Sequence, residues 1–421
     1  MDKFIIDGGR RLRGTLEVNG SKNAALPILV ATLLTDEPCL IDNVPRLRDI
    51  RTTVRLLETL GKRVVYRGRT VVVLPARKLR TRAPYDLVKQ MRASILVVGP
   101  LLARFGKARA ALPGGCAIGL RPVDIHLKGF AAMGAKESAE GGDVLLEGRL
   151  KPARVRLRFP SVGATENLMM AAAAVSGETL IENAAREPEI EDLGRFLSAM
   201  GARVSGAGGS RVRVFGAPRL HGARHRVIPD RIETGTYLLA IAAAGGDVRL
   251  VGAEPRHLAA LITALKRSGV KLQSVQTEDH RPVLRIRMSG RPRPVSVRTR
   301  PHPGFPTDLQ APWMSYMCLA RGKSRIREEI FERRFLHAAE LTRMGADVQI
   351  RSRDAVIQGV PELRGAPVMA SDIRAGAALI VAALAAKGES EVHRVYHIDR
   401  GYERVERVLR GVGARIRRGT A

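Results

Sequence analysis

A thiol, a carboxylate and a set of cationic side chains are what this sequence offers for chemistry. Cys116 stands in Leu112-Pro113-Gly114-Gly115-Cys116-Ala117-Ile118-Gly119-Leu120-Arg121-Pro122. The glycines deny it a stable helix or strand, so the segment reads as a lid that carries a thiol and Arg121 over a pocket. Arg121 and open loop amides favour an anion or a thiolate there. A glycine-rich turn with an incidental cysteine is the alternative. A second set marks the starts of apolar, alanine-rich runs: Lys22-Asn23, Arg92, Ser161-Val162-Gly163, Asp230-Arg231, Asp308 and Arg374. Lys22, Arg92, Ser161, Arg231, Asp308 and Arg374 follow one another at intervals of 66 to 77 residues. Exposed N–H groups and helix dipoles at such starts trap anions. Together with Arg121, Arg334 and Arg400 they describe a site for phosphates and carboxylates.

The elements that must position these residues repeat six times. A helical pattern, a glycine and a strand recur around Gly61, Gly134, Gly201, Gly269, Gly345 and Gly413, at intervals of 67 to 76 residues. Glycine there is expected as a left-handed helix cap. Each unit also holds a more apolar helix, near 24–34, 93–103, 165–175, 234–244, 309–320 and 375–386, and helices apolar on most faces are buried. Six units of this kind predict two pseudo-symmetric α/β domains of three units, with the helix starts facing the gap between them. The period is too long for a solenoid.

Bulk composition narrows the class. The chain has 421 residues, 45% hydrophobic and only 4% aromatic, with a formal net charge of +30. Basic residues are spread along the chain and alternate with apolar ones, as in Arg154-Val155-Arg156-Leu157-Arg158 and Arg211-Val212-Arg213. That alternation describes the wet face of a strand rather than a nucleic-acid platform, for which aromatic residues are too few. The opening Met1-Asp2-Lys3-Phe4-Ile5 does not read as a secretory signal, and the longest apolar run, 375–386, is too short to span a bilayer. Three cysteines without metal-like spacing argue against disulfides and zinc and for a reducing cytoplasm. Cys39 and Cys318 lie in apolar contexts that predict burial.

Several stretches together are specific. Ser21-Lys22-Asn23-Ala24-Ala25-Leu26-Pro27, the Cys116 segment, Arg121-Pro122-Val123-Asp124, Glu182-Asn183-Ala184-Ala185-Arg186-Glu187-Pro188-Glu189, Pro306-Thr307-Asp308, Met344-Gly345-Ala346 and Tyr396-His397-Ile398-Asp399-Arg400-Gly401-Tyr402 resemble the UDP-N-acetylglucosamine 1-carboxyvinyltransferase family of enolpyruvyl transferases. The resemblance runs from Met1 to the last repeat. It implies an inside-out α/β barrel, with domains at 22–229 and at 1–21 plus 230–421 and the active site in the cleft between them. It implies transfer of the enolpyruvyl group of phosphoenolpyruvate to the 3′-hydroxyl of UDP-N-acetylglucosamine, with release of phosphate, at the entry to peptidoglycan synthesis. In that reading Cys116 is the proton donor and Asp308 the base. Lys22, Asn23, Arg121, Arg334, Arg374 and Arg400 bind phosphoenolpyruvate. Asn23, Arg92, Arg121, Pro122, Val123, Asp124, Ile125, Ser161, Val162, Gly163, Asp308 and Ile330 contact the UDP-sugar. No metal or organic cofactor is implied, because phosphoenolpyruvate already carries the activated group; nor is a nucleic-acid or membrane partner.

Some positions depart from the family pattern. Arg333 stands where Asn is common and competes with Arg334 for the role of cation. Phe159-Pro160 replaces a Lys-containing pair, removing one candidate for the UDP phosphates. His126 and His397 read as structural. The sister transferase acting on shikimate 3-phosphate shares the fold but does not need the Pro-Gly-Gly-Cys segment. A nucleic-acid-binding relative without catalysis would have lost Lys22, Cys116, Asp308 or Arg400, and all four are intact.

Overall fold

A computed structural model describes residues 2–75, 78–89, 91–111 and 123–420, with Arg92 and Glu140 described by their backbone alone. Cys116, Arg121 and Pro122 therefore lie outside the described residues. The described chain forms two compact units, one of residues 2–19 with 229–420 and the other of 20–111 with 123–228.

One supersecondary pattern accounts for both units. Strand Arg154–Arg156 runs parallel to Gly177–Glu182, which pairs antiparallel with Arg211–Gly216, which pairs antiparallel with Arg203–Ser205. Helix Val162–Ala173 makes the parallel crossover, and helix Pro188–Ala199 leads to the edge strand. Parallel neighbours need such a crossover, whereas the last two strands close by a short turn. All six four-stranded sheets share this order, three in each unit.

The buried helices are α1 (Lys22–Ala31), α2 (Val98–Phe105), α3 (Val162–Ala173), α4 (Arg231–Ala244), α5 (Gln310–Met317) and α6 (Ile373–Ala385); α2, α3, α5 and α6 link the parallel strands of one sheet, whereas α1 and α4 each run from a strand of one sheet to a strand of another. Alanine and leucine on almost every face leave them no side to give to water, so they pack on one another inside a unit: α1, α2 and α3 in one, α4, α5 and α6 in the other. Each unit thus has its own apolar core. Leu29, fully buried on α1, illustrates the energetics: truncation to Ala costs about 2–5 kcal/mol through lost transfer energy plus a cavity. Gly99 lets α2 approach α3, since a Cβ there would lie 2.4 Å from Asn167 Oδ1.

The more amphipathic helices cover the sheets and end at the six recurrent glycines. All six have positive φ, from 89° at Gly345 to 118° at Gly61. A residue with a Cβ is strained in that left-handed cap. The alternating basic residues lie on the wet strand faces: the Arg154 side chain is 71% exposed while Val155 is buried. Each sheet ties some of that charge with an acidic residue on a neighbouring strand, as in Arg224–Asp42, Arg109–Asp143, Arg154–Glu182, Arg285–Asp247, Arg325–Asp354 and Lys3–Glu391.

Candidate active site

In the 229–420 unit the starts of all three buried helices meet. Pro306 lies in extended backbone and launches the short turn Thr307–Leu309, which runs directly into α5. That turn holds Asp308. Its Oδ1 accepts from Arg334 Nη2 at 2.5 Å and its Oδ2 from Arg374 Nη2 at 3.0 Å. Arg374 is the second residue of α6, whose cap Asp372 accepts from the Arg374 and Ala375 N–H groups. The other arm of its fork, Nη1, reaches the Tyr402 hydroxyl at 3.2 Å, and that hydroxyl lies 2.8 Å from Thr236 Oγ1 on α4. Burial works against the Arg374 charge, but Asp308, Tyr402 and Asp230 outweigh it and hold its pKa above the ordinary arginine value.

Asp230 caps α4, accepting from the Ile232 and Glu233 N–H groups. One turn in, Glu233 is buried, and desolvation together with Asp230 pushes its carboxyl up to about 7 against the opposing bonds from Asn19. Arg334 and Arg374 are both buried, so two guanidinium groups in low dielectric converge on one carboxylate that is 27% exposed. This cluster presents positive charge and directed N–H groups to any anion that reaches it. Arg334, not Arg333, is the buried cation; Arg333 is exposed. Arg400 closes the turn Val395–Arg400, two residues before Tyr402, and is half-buried. Ile330 is half-buried, with its N–H bonded to Glu328 Oε1.

The 20–228 unit holds the remaining candidates. Ser21 caps α1 by accepting from the Ala24 N–H, and Lys22 follows as the first helical residue. Its ammonium is buried 3.4 Å from Asp49 Oδ2, with Asn23 half-buried beside it. Arg92 opens the turn Arg92–Val97 that leads into α2. Ser161 caps α3 through the Ala164 N–H, and Val162 and Gly163 form its first turn. Val123 precedes the helix Asp124–Ala132; Asp124 pairs with Arg158 at 2.9 Å, and Ile125 is buried. A Cβ on Gly163 would sit 3.3 Å from the His126 ring, so these two helix starts lie side by side. His126 is buried, its Nδ1 beside Asn167 Nδ2 at 3.1 Å, and Asn167 also accepts from the Gly99 N–H. That is the structural role expected for His126.

Cys39 and Cys318 are both fully buried, as their contexts imply. Burial raises both thiols, Cys318 up to about 12. Among the described residues no group of three or more His, Cys, Asp or Glu side chains is arranged to hold a metal ion, and no helix is long and apolar enough to cross a membrane.

The structure adds residues to the network that sequence reasoning left without a role: Asp49 beside Lys22, Tyr402 beside Arg374 with Thr236 behind it, and Thr307 and Glu328 behind Asp308. Tyr402 sits at the end of a quoted motif and was within reach. Asp49 and Glu328 carry no local signal, being acidic residues among many.

Comparison with known proteins adds an independent line. The model of the EPSP synthase (3-phosphoshikimate 1-carboxyvinyltransferase) family matches residues 6–409. The chain is 55% identical over 419 residues to a UDP-N-acetylglucosamine 1-carboxyvinyltransferase of Nitratidesulfovibrio vulgaris Hildenborough, covering 99% of each. It is 53% identical over 417 residues to the protein of that name from Elusimicrobium minutum, covering 99% and 98%. Among solved structures, the enolpyruvyl transferase NikO from Streptomyces tendae aligns with a TM-score of 0.88 at 26% identity, covering 100% of this chain and 99% of that one. An EPSP synthase from Acinetobacter baumannii aligns over the full length of both chains with a TM-score of 0.77 at 17% identity, a likeness of fold. With six repeats of one α/β unit, three to a compact unit, and a match over almost its whole length, the chain belongs to the EPSP synthase family of enolpyruvyl transferases.

Proposed function

We propose that this enolpyruvyl transferase moves the enolpyruvyl group of phosphoenolpyruvate to the 3′-hydroxyl of UDP-N-acetylglucosamine, releasing phosphate, as the first committed step of peptidoglycan synthesis in the cytoplasm. The observation that carries the choice of acceptor is the 55% identity over 99% of both chains to an enzyme of that name. The shikimate-phosphate alternative has only the family model's name and likenesses under 20% identity.

The residues divide the work as follows. Cys116 protonates C3 of phosphoenolpyruvate while the sugar hydroxyl attacks C2, forming the O–C2 bond; Asp308 takes the hydroxyl proton. In the second half a C3 proton is removed with the help of Asp308, the C2–O bond to phosphate breaks, phosphate leaves with the proton that the sugar hydroxyl gave up, and the alkene is restored. Lys22, Asn23, Arg121, Arg334, Arg374 and Arg400 neutralise the phosphate and carboxylate. Asn23, Arg92, Arg121, Pro122, Val123, Asp124, Ile125, Ser161, Val162, Gly163, Asp308 and Ile330 hold the UDP-sugar. The clamp on Asp308 gives this scheme a trigger: substrate anions compete for Arg334 and Arg374, and that competition frees a carboxylate oxygen for the hydroxyl.

Phosphate release from phosphoenolpyruvate, measured with UDP-N-acetylglucosamine, with shikimate 3-phosphate and with neither, tests the proposal. Release only with the UDP-sugar is expected. Release with shikimate 3-phosphate instead would overturn it.

A further inference from the structure

Behind Asp308 lies a carboxylate that the scheme above does not use. Glu328 follows strand Lys323–Arg327 and is fully buried. Its Oε1 accepts from Thr299 Oγ1 at 2.9 Å, from the Ile330 N–H at 2.8 Å and from the Phe331 N–H at 3.1 Å. Its Oε2 accepts from Thr307 Oγ1 at 2.9 Å. All four partners are neutral donors, and together they use acceptors on both oxygens. A buried carboxyl group is tolerated when hydrogen bonds replace its water, as these do.

The Oε2 branch bears on the site. Thr307 gives its hydroxyl proton to Glu328, so the oxygen's lone pairs are left for Arg334 Nη1, which donates to it at 2.8 Å. With Nη1 held there, the other arm of the fork, Nη2, falls on Asp308 Oδ1. The Oε1 branch fixes the loop that carries Ile330 and leads to Arg334. One side chain thereby sets the turn holding Asp308, the orientation of Arg334 and the position of the Ile330 backbone.

We propose that Glu328 is a positioning residue for the transfer, acting through Thr307 to aim Arg334 at Asp308. This rests on the reading of Asp308 as base. The experiment separates the two branches. Thr307→Val keeps the β-branched backbone preference and the Oε1 branch but removes the hydroxyl; Thr307→Ser keeps the hydroxyl. Steady-state kinetics with both substrates and thermal unfolding are measured for these, for Glu328→Gln and for the Glu328→Gln/Thr307→Val double variant.

Thr307→Val is expected to lower kcat roughly 10- to 100-fold, the scale of a misplacement of about 1 Å at a catalytic group. KM for the UDP-sugar should stay within about 3-fold, and the unfolding temperature should fall by roughly 2–12 °C, because two hydrogen bonds are lost, Thr307 to Glu328 and Arg334 to Thr307. Thr307→Ser should restore most of kcat. The double variant should be no slower than the slower single variant, as expected for two residues acting in one chain of contacts. Wild-type kcat in Thr307→Val, failure of Thr307→Ser to restore it, or multiplicative losses in the double variant would each overturn the role of Glu328. A wild-type protein that turns over neither substrate would overturn the proposed function instead.

Discussion

Replacing Asp308 by Asn should produce a protein that is slower, less stable and hungrier for anions, and the structure sets the scale of each effect. Arg334 and Arg374 point at the two carboxylate oxygens from 2.5 and 3.0 Å. An amide keeps one acceptor and turns an N–H toward the second guanidinium, so one buried cation loses its bond to this side chain and both lose its negative charge, each keeping a neutral partner in Thr307 or Tyr402. Breaking a fully buried pair costs about 3–5 kcal/mol. The Asp308 side chain is 27% exposed, so water recovers part of that, and about 2–3 kcal/mol is expected. For a unit of this size that lowers the unfolding temperature by roughly 4–12 °C. Turnover should fall roughly 10²–10⁴-fold through loss of the base. UDP-sugar affinity should fall no more than about tenfold, since one hydrogen bond to a hydroxyl contributes about 0.5–1.5 kcal/mol. Inorganic phosphate should then stabilise Asp308→Asn more than wild type, because it supplies the missing negative charge. Scanning calorimetry with and without phosphate, titration calorimetry with the UDP-sugar and single-turnover kinetics read the effects separately. Unchanged stability with no added response to phosphate would refute the clamp. Abolished binding with intact turnover at saturation would make Asp308 a binding residue and not the base.

Three further outcomes are expected. Alkylation by an epoxide mimic of phosphoenolpyruvate should fall on Cys116: with Cys318 pushed up to about 12, only about 3 × 10⁻⁵ of it is thiolate at pH 7.5, against roughly a tenth for an ordinary thiol; peptide mass spectrometry placing the adduct on Cys39 or Cys318 would contradict this. Cys116→Asp should keep some turnover and resist the epoxide, whereas Cys116→Ser should be nearly inactive, and equal rates for the two would argue against an acid at this position. Burial lowers His337 to about 4, so between pH 6.5 and 4 the unfolded chain takes up a proton that the folded chain refuses, and stability falls as pH drops through that window, by about 2 kcal/mol between pH 7 and 5; His337→Leu should flatten that slope in urea titrations, and an unchanged slope would assign it elsewhere.

The repeat was legible because it rests on local chemistry. A left-handed cap selects glycine wherever a helix must turn back into a strand, and six such glycines in phase mark six units whatever surrounds them. The starts of the buried helices were legible for the same reason: Ser21, Ser161 and Asp230 are caps, and Lys22, Asp308 and Arg374 stand beside theirs. Partners distant in sequence were not. Arg374 and Asp308 are 66 residues apart and recognisable as a pair only once α5 and α6 are packed together. The choice between Arg333 and Arg334 turns on which side of a short loop faces inward, and adjacent arginines carry no sign of that. Glu328 was invisible because its partners are hydroxyls and amides, which occur everywhere in a chain.

The sheet that contains the first strand carries a consequence for how the protein is made. Asp2–Asp7 lies between Glu389–His393 and Arg415–Thr420, with Asp2 opposite Thr420. A ribosome adding about 5–20 residues per second needs roughly 20–80 s to supply those neighbours after the first strand emerges. During that interval the 20–228 unit has all of its own sheets and can close, while Asp2–Asp7, carrying Phe4 and Ile6 for a core not yet synthesised, waits unpaired. Strand Asp2–Asp7 is therefore among the last to be placed, although it is made long before its neighbours. A nascent chain stalled after residue 300 should resist protease across 20–75 and 123–228 and stay open to it within residues 2–7.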